Sequence, residues 1–297
     1  MGVTGAWPAD RAIGAGEPLG AWRQGRRPDD GDPPVSVYGA VETVLRDRRN
    51  SGGKALVPYI TGGLGDDWVA TVQAVAAAGA DVIEIGIPFS DPVMDGPTIQ
   101  AANERALLAG ATPTSILDAL RGLDVGVPLI AMTYYNIAFR AGLERFAAGL
   151  VAAGVSGCIL PDLPLDEVGP WAEAADAVGI ETILLAAPTT PDERLVPICE
   201  RSRGFVYGVG LLGVTGVREE LAASACVIAD RLKEVTDRPV LVGVGVGSPE
   251  QAVEVSAHGD GVVVGSVVVQ SMLDEAGPEG VAALVGGFRT ALDGVDR

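Results

Sequence analysis

The 297-residue chain holds one histidine, His258, and three cysteines, Cys158, Cys199 and Cys226, with no regular spacing between them. A single histidine excludes a multi-histidine metal site, and the scattered cysteines match neither a zinc motif nor a disulfide framework. They fit reduced thiols, which points to a cytoplasmic protein. A Ser-His-Asp triad would have to use His258, yet in "SAHGDG" it falls at an expected helix end before a strand, where a surface or capping role is expected. Basic residues are scarce too: 21 Lys and Arg stand against 39 Asp and Glu, a net charge of −18. That balance argues against nucleic acid and against an anionic membrane as partners. No apolar run reaches the ~18 residues of a membrane span, and the N-terminal stretch lacks the apolar centre of a signal peptide.

What the chain does have is a sustained alternation of two patterns. Residues 1–35 are rich in Gly, Pro and Arg without a lasting period, and are read as a disordered extension. The remaining residues, 36–297, are expected to form one domain. It opens with "SVYGAVETVLRDRRN", which predicts a helix with Ser36 as N-cap and Val37, Val41, Val44 and Leu45 on one face. After the breaker "SGGK" come eight short β-rich runs, at 55–61, 81–87, 128–134, 156–162, 181–187, 204–210, 239–245 and 260–266. Amphipathic helices separate them, three ending in "AGA", "AGV" or "VGI" as glycine C-caps would. Most of the runs are continuously apolar, as strands buried on both faces are. Eight such units predict an α/β fold, a TIM (β/α)8 barrel with an extra N-terminal helix. The competing open doubly wound sheet would want a G-x-G-x-x-G after its first strand, and none is there.

In a barrel of this kind, chemistry belongs at the C-terminal ends of the strands. There the stretch "DVIEIGIPFSDPVMDGPTIQ" (81–100) is anomalous. Alternation places Val82, Glu84 and Gly86 on one face of the strand, so Glu84 is expected to point inward with no Lys or Arg nearby in sequence. A buried, unpaired carboxylate costs several kcal/mol, roughly, unless it is protonated or paired. Asp95 follows in a Gly-Pro loop, a polar setting that keeps a carboxylate ionised. Two acids in opposite environments suit an acid/base pair; salt bridging for Glu84 and capping for Asp95 are the structural alternatives. Tyr134 and Asn136 follow the third run, Asp162 ends the fourth and Tyr207 lies on the sixth.

Glycines mark the later units. "VGVGVGSPEQ" and "VVVGSVV" each lead from a strand into a helix, so Gly245, Gly265 and Ser266 are candidates for a phosphate cradle. No Lys or Arg occurs from Leu241 to Phe288, so backbone amides would do most of the binding. "GLLGVTGVR" (210–218) reads as a hinged lid.

In this order, "PFSDPVMDGPTIQ", "MTYYN", "LPDLP", "GFVYG", "GVTG", "GVGVGSPEQ" and "VVVGS" resemble the tryptophan synthase alpha chain family, over about residues 36 to 295. The resemblance implies cleavage of indole-3-glycerol phosphate to indole and glyceraldehyde 3-phosphate. It implies that Glu84 protonates the indole ring carbon and that Asp95 binds the indole N–H. Tyr134 and Tyr207 then fall on the substrate, Thr215 on the lid, and Gly216, Gly245, Gly265 and Ser266 at the phosphate. It further implies no cofactor in this chain, pyridoxal phosphate belonging to a beta chain in an alpha2beta2 assembly that Asp91 and Pro92 would contact. The lid departs from the family pattern at Gly210, Leu211 and Leu212, which leaves open a free-standing lyase or a silent barrel that activates a partner.

Overall fold

The computed structural model describes residues 38–210, 218–243 and 245–294. The strands are β1 (Ala55–Thr61), β2 (Ile83–Gly86), β3 (Leu129–Met132), β4 (Val155–Ile159), β5 (Glu181–Ala186), β6 (Val206–Gly208), β7 (Val240–Val242) and β8 (Gly261–Val264). The helices of the first half are α1 (Ala40–Asn50), α2 (Trp68–Ala77), α3 (Pro97–Leu108), α4 (Pro113–Leu120), α5 (Tyr135–Ala141) and α6 (Leu143–Ala152). Those of the second half are α7 (Gly169–Val178), α8 (Asp192–Arg201), α9 (Arg218–Val235), α10 (Pro249–Ser256), α11 (Ser266–Leu273) and α12 (Gly277–Asp293).

Every strand pairs in parallel with its sequence neighbours, and β8 returns to β1. The sheet is a closed eight-stranded barrel, and the open-sheet alternative is excluded. Each strand is shorter than or equal to the apolar run that announced it.

Val57, Val82, Ile130, Ile159, Ile183, Phe205, Leu241 and Val263 fill the interior. Glycine supplies room where large side chains cross it: a Cβ on Gly86 would lie 1.8 Å from the Tyr59 hydroxyl, and one on Gly243 2.4 Å from that of Tyr207. The three glycine C-caps are in place, with Gly79, Gly154 and Gly179 all at positive φ.

Val41 and Leu45 of α1 are fully buried against the same core, so this helix plugs the barrel's N-terminal end. It begins at Ala40, after the N-cap position Gly39, and the expected cap Ser36 lies outside the described residues. The cap comes from across the fold: the Glu181 carboxylate at the start of β5 accepts from Val41 N (2.7 Å) and Glu42 N (3.0 Å). A Cβ on Gly39 would sit 2.2 Å from Glu181 Cδ, so the approach requires glycine. The expectation for residues 1–35 also falls outside the described residues.

Candidate active site

Strand β2 carries Glu84 into the barrel. Its Cα pairs in register with Tyr59 on β1 and Ile130 on β3, and the side chain is 1% exposed. Among the described residues no cation pairs with it, and Glu84 Oε2 has no hydrogen-bond partner. Among the described residues the salt-bridge alternative finds no partner. Burial, assisted by the negative charge of Asp95, pushes the carboxyl up to about 8, so it holds its proton at neutral pH.

Asp95 stands in the loop from β2 to α3, in a turn closed by Asp95 N donating to Pro92 O at 3.0 Å. Asn103 Nδ2 of α3 donates to Asp95 Oδ2 at 3.1 Å. Burial raises this carboxyl to about 6, while hydrogen bonds from Asn103 and Tyr134 pull the other way. It stays mostly ionised at pH 7. At neutral pH the two acids therefore favour different protonation states at the same end of the barrel.

Tyrosines surround the pair. Tyr134, just after β3, accepts from Met94 N at 2.9 Å and stacks on Phe89 with ring centroids 5.0 Å apart, tying the Asp95 loop down. Tyr207 projects into the core from β6, and its phenol is held well above the ordinary range by burial and by Glu84. Tyr59 does the same from β1, raised by burial, then by Asp95 and Glu84. Sequence reasoning missed Tyr59, Phe89 and Asn103. The available signals were a tyrosine one register step from Val57 on an inward face, and an asparagine on the apolar side of α3. Asp162 accepts from Tyr135 N at 2.8 Å, fixing the start of α5.

The glycine loops are differentiated. Gly245 has φ +77°, which a side chain would strain. Gly265 has negative φ, and a Cβ there would meet nothing nearer than Tyr59 Cβ at 3.8 Å. Helix α10 caps its own N-terminus through Ser248, which accepts from Gln251 N. Helix α11, starting at Ser266, has no side-chain cap, which leaves its first amides free for an anion. Thr215, Gly216, Leu211 and Leu212 lie outside the described residues. His258 is remote from the site, on the surface, with Nδ1 2.9 Å from Asp230 Oδ1.

The family model for "Tryptophan synthase alpha chain" matches residues 45–284. The chain belongs to the tryptophan synthase alpha chain family. The alpha chain of Thermobifida fusca is 46% identical over 242 residues, covering 78% of this chain and 90% of that one. The alpha chain of Microcystis aeruginosa is 43% identical, covering 82% and 95%. Among solved structures, tryptophan synthase from Mycobacterium tuberculosis superposes with a TM-score of 0.79 at 38% identity, covering 86% of this chain and 98% of that chain. Glu84, Asp95, the tyrosines and both glycine loops all fall inside the segment matched by the tryptophan synthase alpha chain model.

Proposed function

We infer that this chain is the lyase that cleaves indole-3-glycerol phosphate to indole and glyceraldehyde 3-phosphate in tryptophan biosynthesis, with Glu84 and Asp95 as its acting carboxyls. The observation that carries the reading is Glu84, 1% exposed inside the barrel, its Oε2 without a partner among the described residues, beside a loop that presents Asp95. Protonated Glu84 gives its proton to the ring carbon that bears the glycerol chain. Positive charge then develops on the ring nitrogen, where Asp95 offsets it. As the carbon–carbon bond breaks, its electron pair returns to the ring. The neighbouring hydroxyl becomes the aldehyde, and its proton returns to the Glu84 carboxylate. No proton is gained or lost overall.

Tyr134 and Tyr207 supply walls against the indole, and the free amides at the start of α11, with Gly245, Gly265 and Ser266, take the phosphate. Thr215 and Gly216 are assigned to the lid. The reaction asks no cofactor of this chain; pyridoxal phosphate belongs to the beta chain, with which it assembles. Val93 (81% exposed), Met94 and Phe139 offer apolar surface for that partner at the barrel's C-terminal end, beside Asp91 and Pro92. Three free cysteines accord with a cytoplasmic setting, and no described helix is long and apolar enough to cross a membrane.

The test is indole release from the purified chain, its Glu84→Gln variant and its Asp95→Asn variant. Each substitution is expected to lower turnover by ~10²–10⁴. Near-parental turnover in Glu84→Gln would overturn the acid/base assignment.

A further inference from the structure

Helix α3 buries three residues against the barrel, Ala102, Asn103 and Ala106. Two are the small apolar residues such a face needs. The third is an amide, 3% exposed, whose Oδ1 has no partner among the described residues. Packing does not explain it, because an apolar side chain would fill the same space without a buried acceptor left unpaired. What Asn103 does have is one bond, Nδ2 to Asp95 Oδ2 at 3.1 Å.

The same helix grips Asp95 a second time. Gln100 Nε2 donates to the Asp95 carbonyl at 2.7 Å. One hold is on the backbone and one on the carboxylate, both from the first two turns of the helix that Asp95 precedes. The amide can satisfy Asp95 in only one orientation while that group is ionised, since a flip would bring Asn103 Oδ1 against a carboxylate oxygen, acceptor to acceptor. Leaving Oδ1 unpaired is the consequence of that choice.

We propose that Asn103 is a positioning residue for the lyase reaction, holding the Asp95 carboxylate ionised and aimed before substrate arrives. The inference rests on the reading of Asp95 given above. Three titratable groups face Asp95 from the elements around it: Glu84 on β2, Tyr59 on β1 and Tyr134 after β3. Among the described residues none is a cation, and no cation is among the influences on Asp95. Amide and phenol donors are therefore what favours its charged form. Without the amide, burial acts with less opposition.

The experiment is the pH profile of kcat/KM, which reports groups of the free enzyme and free substrate. The substrate's phosphate also titrates near pH 6, so the measured quantity is the difference between parent and variant with one substrate. In Asn103→Leu the acid limb is expected to move up by about one pH unit, as loss of a hydrogen bond to a carboxylate implies. That shift alone lowers kcat/KM about five-fold at pH 6 and less than two-fold at pH 7.5. The alkaline limb, set by Glu84, should move little. Asn103→Ala is measured beside it, since it removes the amide without adding a branched side chain. A limb at the parent's position in either folded variant overturns the proposal, because a merely structural role would lower the profile without shifting it. Asp95→Asn separates the two layers of the argument. If it is nearly inactive while the Asn103 limbs stay put, only the positioning role fails. If it keeps parental activity, the role of Asp95 fails first.

Discussion

Glu84 has an ordinary carboxyl forced by its place into an unusual state. Its folded pKa, about 8, stands above the unfolded value of 4.5. For a raised acid, the stability contribution is whole below the unfolded pKa and is lost as pH climbs through the folded one. The parent chain should therefore lose stability between about pH 4.5 and 8, by an amount on the order of a few kcal/mol. Glu84→Gln removes the titrating group. Its melting temperature relative to the parent should rise steadily across that window, while indole release falls. A melting-temperature difference that is flat from pH 5 to 9 would place Glu84 in the normal carboxylate range. Kinetically, protonated Glu84 and ionised Asp95 coexist best between about pH 6 and 8, so kcat/KM should be bell-shaped over that interval.

Two elements do distinct jobs at opposite ends of the barrel. At the catalytic end, α11 offers uncapped amides, and Gly265 just before it is free of any strain that would require glycine. Gly265→Ala should thus fold normally while raising the apparent KM, because the added methyl meets ligand rather than protein. Inorganic phosphate at millimolar levels should compete with substrate in the parent and less well in the variant. An unchanged KM and unchanged competition would remove the phosphate from α11. Gly245, at φ +77°, is a poor probe of the same question, since its substitution strains the backbone as well. At the other end, α1 depends on Glu181 for two backbone bonds. Glu181→Ala should cost about 1–3 kcal/mol in denaturant unfolding with catalysis nearly unaffected. An unaltered midpoint would mean that Val41 and Leu45 hold the plug unaided.

At the scale of the whole molecule, the rim that carries the Asp95 loop also shows exposed apolar side chains. Val93 and Met94 sit in the same loop as Asp95, and Met94 N is bonded to Tyr134. A partner that packs on Val93 would act on the loop that bears Asp95. Addition of a cognate beta chain should accordingly raise the rate of indole-3-glycerol phosphate cleavage, with a coupling of about 1–3 kcal/mol. Val93→Asp should weaken that response while leaving the rate of the isolated chain in place. Full activity of the isolated chain, unmoved by the partner, would assign the chain to the free-standing class of lyase.

The sequence by itself determined the barrel, because parallel strands buried on both faces must be written as continuous apolar runs, and three of the helices between them end at a glycine of positive φ. It also exposed Glu84, since a carboxyl in such a run has no ordinary place. Tertiary structure decided everything that depends on which distant residues meet. The sequence pattern points to Ser36 as the cap of α1, whereas Glu181, some 140 residues away, supplies the bonds. Tyr59 looked like one more core residue until the closed ladder placed it beside Glu84 and over Gly86. Asn103 draws no notice in the sequence because its partner, Asp95, lies eight positions earlier in a loop whose return onto α3 no helical period encodes. Periodicity records which face of an element is buried; only the folded chain settles what that face is buried against.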